Sequence, residues 1–514
     1  MNGAERLIET AAGHGLEVCF ANPGTTEMPL VNALDTAPGL RAVLGLHENV
    51  CTGAADGYAR IAEKPALTLL HLGPGFANGL ANLHNARRAF SPVVNLIGEH
   101  AGWHLAADPP LASDIELLTK WAGRWTRRSA SPDGLARDMT EAVAAATAGR
   151  GGVASLIVPH DLQLAEAPDA PRLPLRPERY PSLDPNLVDA AASLLAGAKR
   201  PAFLLGGNAL HGEGLKSAGR LAAATGAVLI GEVGFARMEL GRGHPVVRRL
   251  PYFPEQAAEL LAGFDAVIVA GTRLPVSFFG YHDMPARYLE GRSDVCHLAA
   301  AEEDAEAALE ALAQSLPQRA SGAAPPSPEP PAPAGEGLDA AGIGKVLAAG
   351  QPEGAIVVLT AVSSAAPYGL YALQAPPHTQ LALTGGAIGE GMAMALGAAV
   401  AAPDRRVINL EADGSGAYMI QALWSQARTG ARITTIICSN RRYRILEIEQ
   451  ERARTDPGPI AADLTRLDDP ALDWPGLARS LGVPGEVAFD QAGLARALQK
   501  GLETEGPYLI EARM

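Results

Sequence analysis

The chain has 514 residues, 47% of them hydrophobic and 19% charged, a length and balance that fit two to four packed domains of a globular protein. Its formal net charge of -14 argues against a nucleic-acid backbone or an anionic membrane as partner and leaves a small molecule. Cys19, Cys51, Cys296 and Cys438 show no CxxC spacing, so neither a zinc site nor a disulfide framework is indicated, which suits a reducing cytoplasm.

The first segment, "MNGAERLIETAAGHG", reads as an amphipathic helix and lacks the basic start and apolar centre of a signal peptide. From residue 1 to 165, helix-like stretches alternate with the apolar runs "EVCFA", "RAVLGL", "PALTLLHLG", "PVVNLIGE" and "ASLIVP". Strands separated by helices imply a mainly parallel sheet covered on both faces. Within this domain "LGLHENVCTGAADGYAR" sets Glu48 at the head of a helix full of small residues. Read alone, such a Glu stabilises a helix N-terminus. A second α/β domain spans 186–316, with strands in "PAFLLGG", "AVLIGE" and "DAVIVAGTR". A Pro-rich linker, 317–336, follows, with seven prolines in the seventeen residues of "PQRASGAAPPSPEPPAP". The third domain, 337–514, takes its strands from "AIVVLT", "QLALTGG", "RVINLEADG", "RITTIICSN" and "YLIEARM". Residues 355–389 contain no Asp, Glu, Lys or Arg, yet Ser, Pro, Gly, Gln and His break the run, which predicts buried strands and turns rather than a membrane span. The expected fold class is α/β, with three doubly wound domains.

The third domain carries the most chemistry. In "RVINLEADGSGAYMIQALWSQARTGARITTIICSNRRY" an apolar strand delivers Asp413 to its carboxyl end, Gly414 and Gly416 let the backbone turn closely, and a helix follows. A second strand delivers Asn440, 27 positions on. Ligands of open α/β sheets bind at such strand ends. A hard cation such as Mg2+ suits two oxygen-bearing side chains together with phosphate oxygens and water, and a helix N-terminus offers N–H groups to the phosphates. Taken singly, Asp413 and Asn440 also read as ordinary turn residues.

These residues resemble the thiamine diphosphate fingerprint, a Gly-Asp-Gly turn closed by a later Asn pair, with Ala412 and Ser439 replacing the first Gly and the first Asn. The resemblance implies Asp413, Asn440 and the backbone carbonyl of Arg442 as Mg2+ ligands. It also implies Gly414, Ser415 and Tyr443 beside thiamine diphosphate, and Ile388 of "TGGAIGEGMAMALGAAV" as the apolar prop that bends the cofactor. The opening domain resembles the pyrimidine-binding domain of the same family, where a Glu precedes a helix bearing the "ADGYAR" pattern; Glu48 takes that place. A desolvated carboxyl group there shares its proton with the pyrimidine N1′ and promotes the imino form that deprotonates C2. His47, its neighbour, has no such part.

Within this acetolactate synthase and benzoylformate decarboxylase family, the site pattern is most similar to benzoylformate decarboxylase. "ANPGTTEMP" implies Thr25 as binder of the substrate carboxylate, "LLHLGPGFANGLANLHNA" implies His71 as catalytic histidine with Asn78 as its polar neighbour, and "RLPVSFFGYHDMP" implies His282 as a second catalytic histidine. Two imidazoles suit the protonation and deprotonation that follow loss of carbon dioxide. "NRRYRILEIEQERART" departs from the pattern, with Ile448 and Glu449 where the family has aromatic side chains, so phenyl specificity does not carry over; Glu449 either lines the pocket or lies on the exposed face of a helix. The implied reaction is nonoxidative decarboxylation of a 2-oxo acid through an enamine. Acetolactate synthase-like carboligation is the alternative, and a noncatalytic thiamine diphosphate-binding scaffold a second. The family pattern further implies a homodimer or homotetramer with the cofactor between subunits, an interface that Gly53, Ala54, Ala55 and Gly57 would suit, as they would suit packing within one domain. No GxGxxG fingerprint accompanies "LLGGNALHGEG", so no flavin is expected.

Overall fold

All thirteen apolar runs form strands. The computed structural model describes residues 1–168, 173–175, 180, 183–316 and 337–514. It divides into one unit of residues 1–178, 331–370 and 383–514 and another of residues 179–330 and 371–382. The expected first and third domains thus share a unit, and the expected linker, 317–336, lies outside the described residues.

In the first unit β1 (Val18–Asn22), β2 (Arg41–Leu44), β3 (Ala66–Leu70), β4 (Val93–Glu99), β5 (Trp125–Arg128) and β6 (Val153–Pro159) form a parallel sheet in the order β2-β1-β3-β4-β6-β5. Leu67, Leu69, Val94, Leu96, Ala154 and Leu156 point to one face and meet Leu7, Ile8, Met139 and Val143 from the helices Gly3–Gly13 and Leu135–Thr147. On β4 the buried Asn95 bonds Thr68 at 2.7 Å and Ser155 at 3.0 Å, so its amide is satisfied across three strands.

The second unit holds β7 (Pro201–Leu205), β8 (Val228–Gly231), β9 (Arg237–Leu240), β10 (Val247–Arg249), β11 (Ala266–Ala270) and β12 (Val295–Ala299). Five of these run parallel in the order β10-β8-β7-β11-β12 around Leu204, Ile230, Val267 and Val269. Next come β13 (Ile356–Leu359), β14 (His378–Ala382), β15 (Val407–Ala412), β16 (Ile433–Ser439), β17 (Gly485–Ala488) and β18 (Tyr508–Arg513). Within the second unit β9 pairs antiparallel with β14. The C-terminal part of the first unit is parallel, in the order β17-β18-β16-β15-β13. The three mainly parallel α/β sheets match the expected fold class.

The N-terminal and C-terminal parts of the first unit meet through helices Glu48–Ala62 and Gly391–Ala401. A Cβ on Gly57 would strike the Met394 carbonyl, one on Gly397 would strike the Ala54 carbonyl, and one on Gly53 would lie 2.9 Å from Ala393 Cβ. The small residues of the Glu48 helix therefore serve a contact inside the chain. Among the described residues no helix is long and apolar enough to cross a membrane. All four cysteines are free, and burial pushes the Cys19 thiol up to about 12. Gly397→Val should cost about 1–3 kcal/mol or more, because the opposing backbone cannot retreat as a side chain could; a denaturant titration showing an unchanged midpoint would contradict this packing.

Candidate functional site

In the first sheet the chain leaves β1 for β2 on one side and returns to place β3 on the other, so the carboxyl ends of β1 and β3 flank a topological switch point. After β1 the turn Thr25–Glu27 begins; after β3 comes His71, which precedes the helix Leu72–Asn78. The two strand ends meet in a hydrogen bond of 2.7 Å between His71 Nδ1 and Glu27 Oε2. Glu27 is fully buried and also accepts from the Gly24 N–H at 2.8 Å and the Thr26 hydroxyl at 2.7 Å. A carboxylate held by three donors makes Nδ1 the donating nitrogen of His71 and leaves Nε2 as the acceptor. Two glycines make room for the pair: a Cβ on Gly24 would enter the His71 ring, and one on Gly98 would enter the Glu27 carboxylate. Thr25 is exposed, whereas Thr26 is the hydroxyl in contact with the pair.

Glu48 is the first residue of its helix and 7% exposed. Its Oε2 accepts from Asn78 Nδ2 at 3.0 Å. Gly75 lets the helix Leu72–Asn78 pass, since a Cβ there would lie 2.8 Å from Glu48 Oε1 and 3.1 Å from His71 Cβ. Glu48, Asn78 and His71 are thus neighbours. His47 caps the same helix, accepting the Asn49 N–H on Nδ1 at 3.1 Å.

The C-terminal candidates gather at the ends of β15 and β16, where Ala412 pairs with Cys438. Asp413, 3% exposed, accepts the Gly414 N–H on Oδ1 at 2.9 Å and the Arg441 N–H on Oδ2 at 2.5 Å. Burial pushes its carboxyl up, and those N–H groups pull it back. Arg441 reaches it from a left-handed backbone, φ +56°, a conformation that a non-glycine residue adopts only against a cost. Asn440 Oδ1 accepts the Arg442 N–H at 3.0 Å, and the Tyr443 ring lies over Gly414. The single helix expected after Asp413 is instead the short Asp413–Gly416 followed by Ala422–Thr429, a break that suits the weak helix formers Gly414 and Gly416. Among the described residues no group of three His, Cys, Asp or Glu side chains could hold a metal; the candidate cation donors are a carboxylate, an amide and a carbonyl.

Three acids here went unnoticed in the sequence. Besides Glu27, the fully buried Glu411 accepts the Ser415 hydroxyl and, at 2.9 Å, that of Thr360, with burial pushing its carboxyl up to about 7. Glu390, two residues past the half-buried Ile388, is buried as well. Tyr418 was also missed; it packs against Gly389, beside Ile388. The "NPGTTE" and "LEADG" stretches held the only signal for Glu27 and Glu411, an acid inside an otherwise small or apolar run. His282 lies in the second unit with its side chain 100% exposed, 3.2 Å from its neighbour Asp283. Glu449 pairs with Arg452 at 3.7 Å on the helix Arg444–Arg452.

Residues 1–110 match the family model "Thiamine pyrophosphate enzyme, N-terminal TPP binding domain", and residues 361–512 match "Thiamine pyrophosphate enzyme, C-terminal TPP binding domain". The chain is 43% identical over 514 residues to "Putative acetolactate synthase large subunit IlvX" of Mycobacterium tuberculosis, covering 99% of this chain and 98% of that one. It is 29% identical to benzoylformate decarboxylase of Pseudomonas aeruginosa, over 97% of this chain and 96% of the relative. Among solved structures, the thiamine diphosphate-dependent 4-hydroxybenzoylformate decarboxylase of Rhodococcus jostii RHA1 superposes with a TM-score of 0.87 at 26% identity, covering 100% of this chain and 99% of the other. The buried Glu27 acceptor yields a measurable outcome: in 15N-labelled protein His71 should carry its neutral-state proton on Nδ1, and Glu27→Gln should shift that proton toward Nε2. An identical tautomer in both proteins would sink the assignment.

Proposed function

Because the chain belongs to the thiamine pyrophosphate enzyme family, we propose that it is a thiamine diphosphate- and Mg2+-dependent lyase that decarboxylates a 2-oxo acid without oxidation. The observation that carries this reading is the His71 imidazole, oriented by buried Glu27 and adjoining Glu48 and Asn78.

The residues fit the cofactor. Asp413, Asn440 and the Arg442 carbonyl offer hard oxygen donors for Mg2+, and a cation would offset the burial of the Asp413 carboxylate. Gly414, Ser415 and Tyr443 would line the diphosphate, with Ile388 as the prop. Thiamine diphosphate, when bound, supplies a nucleophilic carbon and an electron sink for the carbon that loses carbon dioxide.

The remaining work falls to the chain. Glu48, fixed by Asn78, would hold the carboxyl proton that the pyrimidine N1′ shares. His71, once protonated on Nε2, the nitrogen that Glu27 leaves free, delivers that proton at the reacting centre and, neutral again, later removes one there. Thr25, at the exposed edge of the turn, binds the substrate carboxylate, and His282 serves as the second imidazole. The active species is a cytoplasmic homodimer or homotetramer with the cofactor between subunits.

Carboligation to a second carbonyl compound is the competing outcome, favoured by the name of the 43% identical relative. Feeding pyruvate and benzoylformate and analysing the products decides between them: free aldehyde with carbon dioxide supports the lyase, and acetolactate without aldehyde rejects it. His71→Ala should lower kcat by roughly 10²–10⁴. Glu48→Gln should retain thiamine diphosphate and lose turnover; undiminished turnover would refute its role. Removing divalent metal by chelation should abolish activity, with recovery on adding Mg2+.

A further inference from the structure

The turn 384–390, which carries Ile388, is clamped by two helices of the same unit. From Leu80–Ala89, His84 Nε2 donates to the Gly385 carbonyl at 3.0 Å. Asn85 Nδ2 donates to the Ala387 carbonyl at 2.8 Å and to Glu390 Oε2 at 2.9 Å. Its Oδ1 accepts the Ala387 N–H at 3.2 Å, and its backbone carbonyl accepts the Thr384 hydroxyl at 2.7 Å. From Glu48–Ala62, Arg60 donates to Thr384 Oγ1 at 3.1 Å while its Nε holds Asp56 at 2.8 Å. Asp56 also accepts the Ser91 hydroxyl.

Asp56 and Glu390 are both fully buried beside the single guanidinium of Arg60. Glu390 Oε1 is shut away from solvent with no donor facing it, and its carboxyl adjoins that of Asp56. Two carboxylates cannot both stay ionised there: each buried anion needs its own partner, and a buried acceptor without a donor is costly. Burial, followed by the Asp56 charge, drives the Glu390 carboxyl well above its ordinary value. A proton on Oε1 would turn the orphan acceptor into a donor for the neighbouring Asp56 carboxylate.

We propose that Glu390 is a positioning residue: it shares one buried proton with Asp56, and that hydrogen bond, with Arg60 and Asn85, fixes the turn holding Ile388 against the cofactor. This rests on the reading of Ile388 as the cofactor's prop. The pair ties the helix headed by Glu48 to the turn that carries Ile388, so its integrity governs cofactor affinity as well as folding.

Two measurements test it. The infrared difference spectrum between wild-type protein and Glu390→Gln should contain the carbonyl stretch of a protonated carboxyl, lost in the variant at neutral pH. Calorimetric affinity for thiamine diphosphate with Mg2+ should stay within roughly two- to three-fold in Glu390→Gln, whose amide still donates to Asp56. It should fall roughly ten-fold or more in Glu390→Ala, which removes the charge-assisted bond to Asp56, and in Asn85→Ala, which removes the buried amide's bonds to the turn. Asn85→Ala leaves the acid pair in place and keeps the test open if Glu390→Ala does not fold. No lost carboxyl band, or a folded alanine variant that binds as wild type does, overturns this inference alone. Wild-type protein with no affinity for thiamine diphosphate overturns it together with the cofactor reading.

Discussion

Two helices far apart in the sequence touch backbone to backbone, Gly57 against the Met394 carbonyl and Gly397 against that of Ala54. Nothing larger than hydrogen fits at either crossing, and interiors packed to this density do not slide by fractions of an ångström. The contact fixes the distance between the helix that begins with Glu48 and the helix that follows the Ile388 turn. The polar contacts beside them, Arg60 at the end of the first helix reaching Thr384 and Asn85 reaching Glu390 at the head of the second, depend on that spacing.

On this frame several of the chemistry-bearing groups have a partner that orients them. Glu27 holds His71, Asn78 holds Glu48, Glu411 holds Ser415, and the Arg441 N–H holds Asp413. Orientation before any ligand arrives is what a site needs if binding energy is not to go into ordering side chains. The left-handed Arg441 shows that the chain tolerates local backbone strain to aim one N–H at the Asp413 carboxylate.

The sequence made the central strands legible because burial on both faces demands unbroken apolar runs. The five strands absent from that reading, Trp125–Arg128, Arg237–Leu240, Val247–Arg249, Val295–Ala299 and Gly485–Ala488, all lie at sheet edges, where one side is unpaired and charges such as Arg127 and Arg248 intrude. Asp413 and Asn440 stood out through their strand ends and spacing. Glu27 and Glu390 did not, because an acid beside a turn looks like any helix-capping residue until the fold buries it. The small residues after Glu48 announced a close approach, but only the fold identified the opposing helix as one from the same chain. His282 came from resemblance alone, with no local pattern to give its surroundings.

The glycines around His71 carry a lesson of their own. Gly24 lies under the imidazole, Gly98 under the carboxylate that orients it, and Gly75 where Glu48 and His71 come together. None has a functional group, yet each occupies space that the reacting groups require to be empty. Tolerance to mutation around this centre therefore follows shape before charge: a methyl at residue 98, on a strand that supplies no proposed catalytic side chain, displaces the same pair as an alteration of the acid itself. Drift or engineering of specificity must leave these three glycines in place, since a Cβ at any of them meets a reacting group or the acid that orients one.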